Sequence, residues 1–393
     1  MLDTIITIAL IILALPVSMF VLECLLGLFN TPAAKEVQLP DNLKNTLLMP
    51  AHNEAEIIAH TLENLKKHIG INDTLVVIAD NCQDNTADIV RQHGFIALER
   101  HHETERGKGY ALAYGMDYLH QQDQQPDIVT IVDADCLLDA NALHLLKQNV
   151  HQRGRPVQAC YLMKSGSVNR IAVKVSEFAF MVKNKIRLRG LSRLGMPVPL
   201  TGTGMAFPWD AIASAKLATG DIVEDMRLGV ELAENGMGAT YCDEALVYSY
   251  FPSSEKAEQT QRERWEHGHL STLKQFAPRL FKRAITKPSI EALGMMMDLI
   301  IPPLSLLVMI IAAAWLLISV FSLMSNNWIY FSTINIYLMS LLVTVFLTWL
   351  LYGRSILSAK EMLHIPIYIF SKIAIYIGYI VRKQTKWIRT DRN

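Results

Sequence analysis

The sequence is poor in cysteine pairs and has no excess charge of either sign. None of its five cysteines belongs to a C-x-x-C pair, so a disulfide framework and a structural zinc site are both disfavoured. Because 37 basic residues balance 37 acidic ones, the composition gives no electrostatic basis for binding nucleic acid. We therefore expect reduced thiols facing a cytoplasm and no nucleic-acid partner.

Charge is almost missing from the first thirty residues. Glu23 is the one ionisable residue of segment 4–29, which is long enough to cross a bilayer core of ~30 Å. The segment lacks the basic start and the small-residue cleavage site of a signal peptide, so residues 1–30 are predicted to be a retained anchor. Lys35 and Lys44 follow it. By the positive-inside rule, these lysines place the next domain in the cytoplasm.

Two further uncharged runs, 299–321 and 328–352, predict two transmembrane helices within 293–353. Segment 362–381 is interrupted by Pro366 and Lys372. We interpret it as interfacial or re-entrant rather than spanning, so that residues 354–393 end in a basic cytoplasmic tail. A transporter or channel is disfavoured, because Glu23 and Asp298 near the ends are almost the only ionisable groups of the spans.

Between the soluble part and these spans, segment 269–292 alternates apolar and basic residues. The pattern predicts an amphipathic segment on the inner membrane surface, broken at Pro278. An ordinary surface helix is the alternative. The residues concerned are Leu273, Phe276, Leu280, Phe281 and Ile285 with Lys274, Arg279, Lys282, Arg283 and Lys287.

Residues 40–268 have the sequence pattern of a soluble α/β domain. Short apolar runs alternate with helical patterns, which predicts βαβ units and a mostly parallel sheet flanked by helices. Strands are expected at 46–49, 74–79, 95–98, 127–132 and 156–163, with a final pair of strands in 239–250. Helices are expected at 54–68, after Asn85, after Gly109 and at 169–190.

Two carboxylates end the strand predicted at 127–132. Alternate residues of an extended segment point the same way, so Asp133 and Asp135 can converge on one hard cation such as Mg²⁺ or Mn²⁺. Ligands of open α/β sheets bind beyond the carboxyl ends of the strands, where these residues lie. A lone Asp-X-Asp is more often an ordinary acidic turn after a strand, so the remaining motifs decide its meaning.

Further polar motifs follow at intervals along the domain. Residues 50–54 and 80–86 end the first two strands and can hold a base and a ribose. Arg-Gly-Lys-Gly at 106–109 offers a cation at a helix start, and residues 201–205 contain two glycines that permit close backbone approach. Val-Glu-Asp at 223–225 opens a helix, and Gln-Arg-Glu-Arg-Trp at 261–265 places three side chains on one helical face.

In combination, Asp-Ala-Asp, Val-Glu-Asp and Gln-Arg-Glu-Arg-Trp resemble the D, DxD, (T/E)ED and QxxRW motifs of membrane-embedded family 2 glycosyltransferases. Exopolysaccharide, cellulose, hyaluronan and poly-N-acetylglucosamine synthases are members. The resemblance covers residues 45–268. It implies a GT-A fold, a nucleotide-sugar donor and an inverting transfer. The tail around Trp387 and Arg389 also resembles the endings of some bacterial exopolysaccharide transferases.

The same resemblance implies roles for individual residues. Asp133 and Asp135 would hold the metal, and Asp225 would be the general base beside Glu224. The nucleotide-sugar would be bound by Pro50, His52, Glu54, Asp80, Lys108, Asp133 and Arg264. The acceptor would be bound by Gly202, Thr203, Gly204, Gln261 and Trp265.

The function implied is transfer of a sugar from a UDP-sugar to a growing polysaccharide or a lipid-linked acceptor at a bacterial inner membrane, where other polysaccharide-assembly proteins are potential partners. The chain has fewer predicted spans than the large synthases, so polymer synthesis and single-sugar transfer to a polyprenyl-linked acceptor both stay open. A nucleotide-binding regulatory module with a dead site is the alternative of another class.

Overall fold

The computed structural model describes residues 2–30, 37–221, 223–287 and 289–381. Lys35, Ile222 and the tail residues Trp387 and Arg389 lie outside these ranges, so the expectations that involve them stay predictions.

In the part of the chain that the structure describes, eight strands form one sheet in the order β3-β2-β1-β4-β7-β6-β8-β5. They are β1 (Asn45–Ala51), β2 (Asp73–Asp80), β3 (Ile96–Arg100), β4 (Ile128–Ile131), β5 (Leu137–Leu138), β6 (Val157–Lys164), β7 (Met205–Pro208) and β8 (Thr240–Tyr250). Strands β3, β2, β1 and β4 are mutually parallel, and β7 joins them antiparallel. The parallel half brings the ends of β1, β2 and β4 to one edge, as the sequence predicts.

The helices up to the end of the α/β unit are α1 (Leu2–Gly27), α2 (Ile58–Lys66), α3 (Thr86–Gln92), α4 (Lys108–His120), α5 (Ala142–Arg153), α6 (Ile171–Met181), α7 (Leu188–Arg193), α8 (Trp209–Ile212) and α9 (Glu224–Glu234). A π-helical segment, Val182–Arg187, joins α6 to α7. Apolar side chains fill both faces of the sheet: Leu62 and Leu146 pack in one cluster, and Leu112 and Phe207 in the other. Each face therefore has its own core.

The later helices are α10 (Glu255–Thr286), α11 (Ile290–Leu299), α12 (Leu304–Ser325), α13 (Trp328–Thr348), α14 (Ala359–Met362), α15 (Ile365–Ser371) and α16 (Ile373–Val381). The predicted break at Pro278 is wrong, because α10 runs through this proline. Phe276 and Leu280 on either side of it pack against α9 and α11, and this burial stabilises the helix despite the lost backbone hydrogen bond. Phe281 and Ile285 stay exposed. The helix also crosses the predicted domain boundary at Gly268.

The predicted final pair of strands in 239–250 is also wrong, since β8 is a single strand. Its pairing with β6 shifts register between Ala159 and Cys160. Residues 243–245, between the two expected strands, therefore form a bulge within β8. Asp243 in this bulge pairs with Arg189 at 2.6 Å. Strands β5 and β7 were not expected.

Within the described residues, four segments are long and apolar enough to cross a membrane: Leu2–Gly27, Leu304–Ser325, Trp328–Gly353 and Ala359–Tyr379. The second starts later than predicted, because Pro302 and Pro303 separate α12 from α11. The last is divided into α14, α15 and α16 and is the least apolar of the four. Its interfacial or re-entrant placement stays a prediction.

Helix α1 is fastened to the α/β unit by a buried ionic cluster. Arg187 Nε lies 2.6 Å from Glu23 Oε2, and Arg187 Nη2 lies 2.5 Å from Asp298 Oδ1. The backbones also meet closely, since a Cβ atom on Gly190 would collide with the carbonyl oxygen of Glu23. Glu23 and Asp298, at the ends of the predicted spans, therefore hold α1 against the π-helical segment through Arg187.

Candidate active site

Asp133 and Asp135 follow β4 at the sheet edge. The hydroxyl oxygen of Thr203 accepts a hydrogen bond of 3.1 Å from the Asp133 amide and fixes this turn. Ligand atoms of Asp133, Asp135 and Cys136 all lie within 4.8 Å of one another. Burial raises the pKa of the Cys136 thiol well above its ordinary value, which disfavours the thiolate as a ligand. The carboxylate oxygens that remain suit Mg²⁺ or Mn²⁺.

Lys108, the first residue of α4, joins these carboxylates to the acidic pair of α9. Its Nζ lies 2.5 Å from Asp133 Oδ1 and 3.7 Å from Glu224 Oε1, and it donates a 2.6 Å hydrogen bond to the Gly202 carbonyl. Burial by itself would lower the pKa of Lys108, but the charges of Asp133 and Glu224 outweigh it and raise this pKa. The lysine therefore stays protonated among the acids.

Glu224 and Asp225 open α9 beside this lysine. Burial raises the pKa of Glu224 to about 7 despite the opposing charge of Lys108. Burial also raises the pKa of Asp225, which brings a carboxylate toward the range suited to a general base. Gly202 has φ +94°, and a Cβ there would lie 3.4 Å from Asp225 Oδ2 and 3.6 Å from Lys108 Nζ. Glycine thus leaves space between the Asp225 carboxylate and the lysine.

Much of the predicted site lines one cavity of about 350 Å³. Motif residues from five separate stretches line it. They are Lys108, Asp133, Asp135, Gly202, Glu224, Asp225, Gln261, Arg264 and Trp265. The metal pair, the candidate base and the acceptor motif of α10 therefore share one space.

Thr203 and Gly204 do not belong to this lining. Thr203 is fully buried and bonds the Asp133 amide. Gly204 has φ +63°, and a Cβ there would press on Ala159 and Val247 in the sheet. Thr203 thus positions the metal turn, and the missing side chain of Gly204 permits the backbone to approach β6 and β8 closely. Their expected part in acceptor binding stays a prediction.

The residues expected to hold the nucleoside form a second group at the ends of β1 and β2. His52 Nδ1 lies 2.6 Å from the carbonyl oxygen of Asp80, and the Glu54 amide donates to Thr86 Oγ1 at 2.9 Å. Pro50 stands opposite Ile78 in the β1–β2 register. This group lies outside the described lining of the cavity. It occupies the same sheet edge, because β1 lies between β2 and β4.

The sequence does not single out Arg100 or Lys183, and it favours a solvated or packing role for His269. Arg100 Nη1 lies 2.7 Å from Asp80 Oδ1, and both side chains are buried. The register of β3 against β2 places these two residues opposite each other, so this pairing is the signal that could have revealed Arg100. Lys183 and His269 line the cavity. Nothing local in the sequence distinguished them from other residues of basic or amphipathic helices.

A family model described as "Glycosyltransferase like family 2" matches residues 43–268, which is more than half of the chain. The chain belongs to glycosyltransferase family 2. This confirms the family that the motifs resemble.

This glycosyltransferase is similar to a probable glycosyltransferase, YdaM, of Bacillus subtilis (strain 168). The two are 24% identical over 271 residues, covering 64% of this chain and 61% of that protein. It is also 24% identical over 239 residues to the poly-beta-1,6-N-acetyl-D-glucosamine synthase of Staphylococcus aureus (strain COL), covering 59% of this chain and 56% of the synthase. The matches span less than two thirds of these relatives.

Among solved structures, a similar fold is that of the mannosyltransferase PcManGT from Pyrobaculum calidifontis, in complex with GDP-Man and Mn²⁺. The TM-score is 0.53 at 18% identity, covering 87% of this chain and 98% of that one. At this identity the likeness concerns the fold alone. It confirms the expected GT-A α/β architecture.

Proposed function

We propose that this glycosyltransferase moves a sugar from a UDP-sugar to a growing polysaccharide or a lipid-linked acceptor, with inversion at the anomeric carbon. The observation that supports this most is one cavity whose lining includes both the acidic site and residues of candidate membrane spans. The latter are Phe20, Leu304, Val345, Ile365 and Ile369. Such a cavity joins a soluble donor to an acceptor at a membrane.

Donor binding is divided between the two groups of the sheet edge. Pro50, His52, Glu54 and Asp80 would hold the nucleoside, and Asp133 and Asp135 would hold Mg²⁺ or Mn²⁺. The ion would neutralise charge that develops on the leaving diphosphate. Lys108 and Arg264, which line the same cavity, would add fixed positive charge.

Transfer then needs one displacement. The acceptor hydroxyl oxygen forms a bond to the anomeric carbon while the bond from that carbon to the diphosphate oxygen breaks, and UDP leaves with the bonding electrons. Asp225 takes the hydroxyl proton. Glu224 helps to hold Lys108, while Gln261 and Trp265 position the acceptor. A single displacement inverts the centre, so no covalent enzyme intermediate is needed.

The experiment is UDP release by the purified full chain in lipid nanodiscs, with a panel of UDP-sugars and Mn²⁺ or Mg²⁺, followed by sizing of the sugar product. Turnover of one donor supports the proposal. A long product indicates a polymer synthase, and one sugar added to lipid indicates single transfer. No turnover with any donor and either acceptor class would contradict the proposal and favour a dead nucleotide-binding module.

A further inference from the structure

The last apolar segment of the chain carries buried polar side chains, and these meet α10 directly after its Gln-Arg-Glu-Arg-Trp motif. Lys372 Nζ lies 2.5 Å from Glu266 Oε1, and the Tyr376 hydroxyl donates a 2.5 Å hydrogen bond to Glu266 Oε2. Ser305, near the start of α12, shares a 2.8 Å hydrogen bond with the Tyr376 hydroxyl. All four residues are less than a tenth exposed. Both oxygens of the Glu266 carboxylate are therefore held by the C-terminal segment.

His267, the next residue of α10, is bound to the same segment. Its Nε2 lies 2.9 Å from the carbonyl oxygen of Ile375. A carbonyl oxygen can only accept, so Nε2 carries a proton and donates it to this bond. The imidazole ring also packs against the Tyr379 ring, with 5.3 Å between the ring centroids. Two consecutive residues of α10 are thus fastened to the stretch 372–379.

Lys372 is the one charged residue of segment 365–381. Its neighbours Ile373 and Ile377 are exposed on the surface of the protein, whereas Lys372 is buried. Removing one partner of a buried ion pair leaves the other charge uncompensated, so Lys372 and Glu266 depend on each other. An ionisable residue within an apolar segment is costly and is seldom without a function. The contact with Glu266 therefore explains why a lysine stands in this segment.

Glu266 directly follows the two motif residues on which the proposed transfer depends. Arg264 and Trp265 line the cavity together with Glu266 and Lys372. Successive residues of an α-helix are turned by ~100° and belong to one rigid backbone, so a shift of α10 at Glu266 moves the side chains of Arg264 and Trp265 as well. Trp265 also packs against Phe180 of α6, with 5.6 Å between the ring centroids. The motif is therefore held by contacts to α6 and to the C-terminal segment.

A second ionic contact of the C-terminal segment does not involve the motif helix. Lys174 of α6 lies 2.7 Å from Glu361 of α14, and both side chains are partly exposed. Neither residue belongs to the described lining of the cavity. This pair joins the segment to α6 rather than to α10, so it is a matched control for the pair of Lys372 and Glu266.

We propose that Lys372 and Tyr376 are positioning residues for sugar transfer. Through Glu266 they hold α10 so that Arg264 meets the donor diphosphate and Trp265 meets the acceptor. The inference rests on the proposed function, from which it takes the roles of Arg264 and Trp265. Neither Lys372 nor Tyr376 needs to touch a substrate. The last apolar segment is thereby part of the catalytic framework.

The test is steady-state sugar transfer by the full chain in lipid nanodiscs. Lys372→Met should lower kcat about tenfold or more and leave the KM for the UDP-sugar nearly unchanged, because displacing a contact made in the transition state costs rate rather than ground-state binding. Lys174→Met should leave kcat nearly unchanged. If Lys372→Met does not fold, Tyr376→Phe takes its place; it removes one bond to Glu266 and should lower kcat about threefold or more.

A double substitution separates positioning from direct contact with substrate. Lys372 lines the cavity, so an ammonium group acting on a substrate phosphate is the other explanation of a lower rate. If Lys372 acts through Glu266, Lys372→Met should lower kcat no further once Glu266→Gln is present. If Lys372 acts on the substrate itself, the losses in kcat from the two substitutions should multiply.

Hydrogen exchange of the α10 backbone gives a readout that does not require turnover. Amides of residues 258–268 should exchange faster in Lys372→Met than in wild type or Lys174→Met, because local opening is no longer opposed by the buried pair. Equal exchange in all three proteins, multiplied losses in the double variant, or equal effects of the two lysine substitutions on kcat would overturn the positioning role. Faster exchange only in Lys372→Met, in a protein that turns over no UDP-sugar, would overturn the proposed function and leave the hold on α10 standing.

Discussion

The ammonium group of Lys108 lies 2.5 Å from a carboxylate oxygen of Asp133, a residue of the candidate metal pair. A divalent cation bound by Asp133 would compete with this lysine for the same carboxylate. Because like charges repel strongly in a partly buried site, we expect the lysine to weaken cation binding until a diphosphate shares both charges. The arrangement would then couple metal binding to donor binding.

Replacing Lys108 with Gln should therefore tighten Mn²⁺ binding to the nucleotide-free protein about tenfold, while sugar transfer falls about 100-fold. Titration followed by the electron paramagnetic resonance of free Mn²⁺ measures the first effect. Lys147→Gln is the control, because Lys147 pairs with Asp73 away from the cavity. Unchanged Mn²⁺ affinity in the Lys108 variant would show that the lysine and the ion do not share Asp133.

Arg100 should be needed to hold Asp80. Both side chains are less than a tenth exposed, so Arg100→Gln leaves a buried carboxylate without its partner and should cost about 3 kcal/mol of stability as well as UDP affinity. Arg91→Gln breaks the exposed pair with Glu99 and should leave stability and UDP affinity nearly unchanged. Thermal unfolding and UDP titration compare the two variants, and similar losses in both would argue against the assigned role of Arg100.

His269 should make the protein sensitive to acid. Burial and neighbouring cations lower its pKa from 6.5 to about 3 in the folded chain, so between these values the unfolded chain binds the additional proton. Stability should fall as pH drops below about 6.5, by up to about 1.4 kcal/mol per pH unit, and should show no such loss above it. Wild type and His269→Gln compared by unfolding temperature at pH 7.5 and 5.5 test this. A parallel decline in both proteins would contradict it.

Topology offers a separate prediction. The basic residues that follow α13 place the chain beyond Gly353 in the cytoplasm if segment Ala359–Tyr379 does not span. A reporter enzyme fused after Asn393 should then be active on the cytoplasmic side. Activity on the opposite side would mean that this last segment crosses the membrane.

The sequence predicts well those features that depend on local patterns. Apolar runs with polar ends locate β1, β2 and β4, and parallel order then brings Asp80, Asp133 and Asp135 to one edge. Strands β5 and β7 escape prediction, since they have two and four residues and depend on distant partners. Pro278 misleads because tertiary packing outweighs the local cost of a proline.

Prediction of the site likewise succeeds for local motifs and fails for contacts between distant segments. Motif spacing identifies Lys108, Glu224 and Asp225, yet a list of motif residues does not say where each side chain points. Thr203 turns inward to the Asp133 amide, and Gly204 faces the sheet. The cluster of Glu23, Arg187 and Asp298 joins three distant segments, which no local pattern indicates.

The most direct test of the account measures sugar transfer and nucleotide binding in parallel for wild type, Asp225→Asn and Asp135→Ala. We predict that Asp225→Asn binds UDP with Mn²⁺ as tightly as wild type but transfers sugar at least about 100-fold more slowly, because only the base is lost. Asp135→Ala should lose both metal-dependent UDP binding and transfer. Wild-type rates in Asp225→Asn would contradict the assignment of the base and, with it, the proposed mechanism.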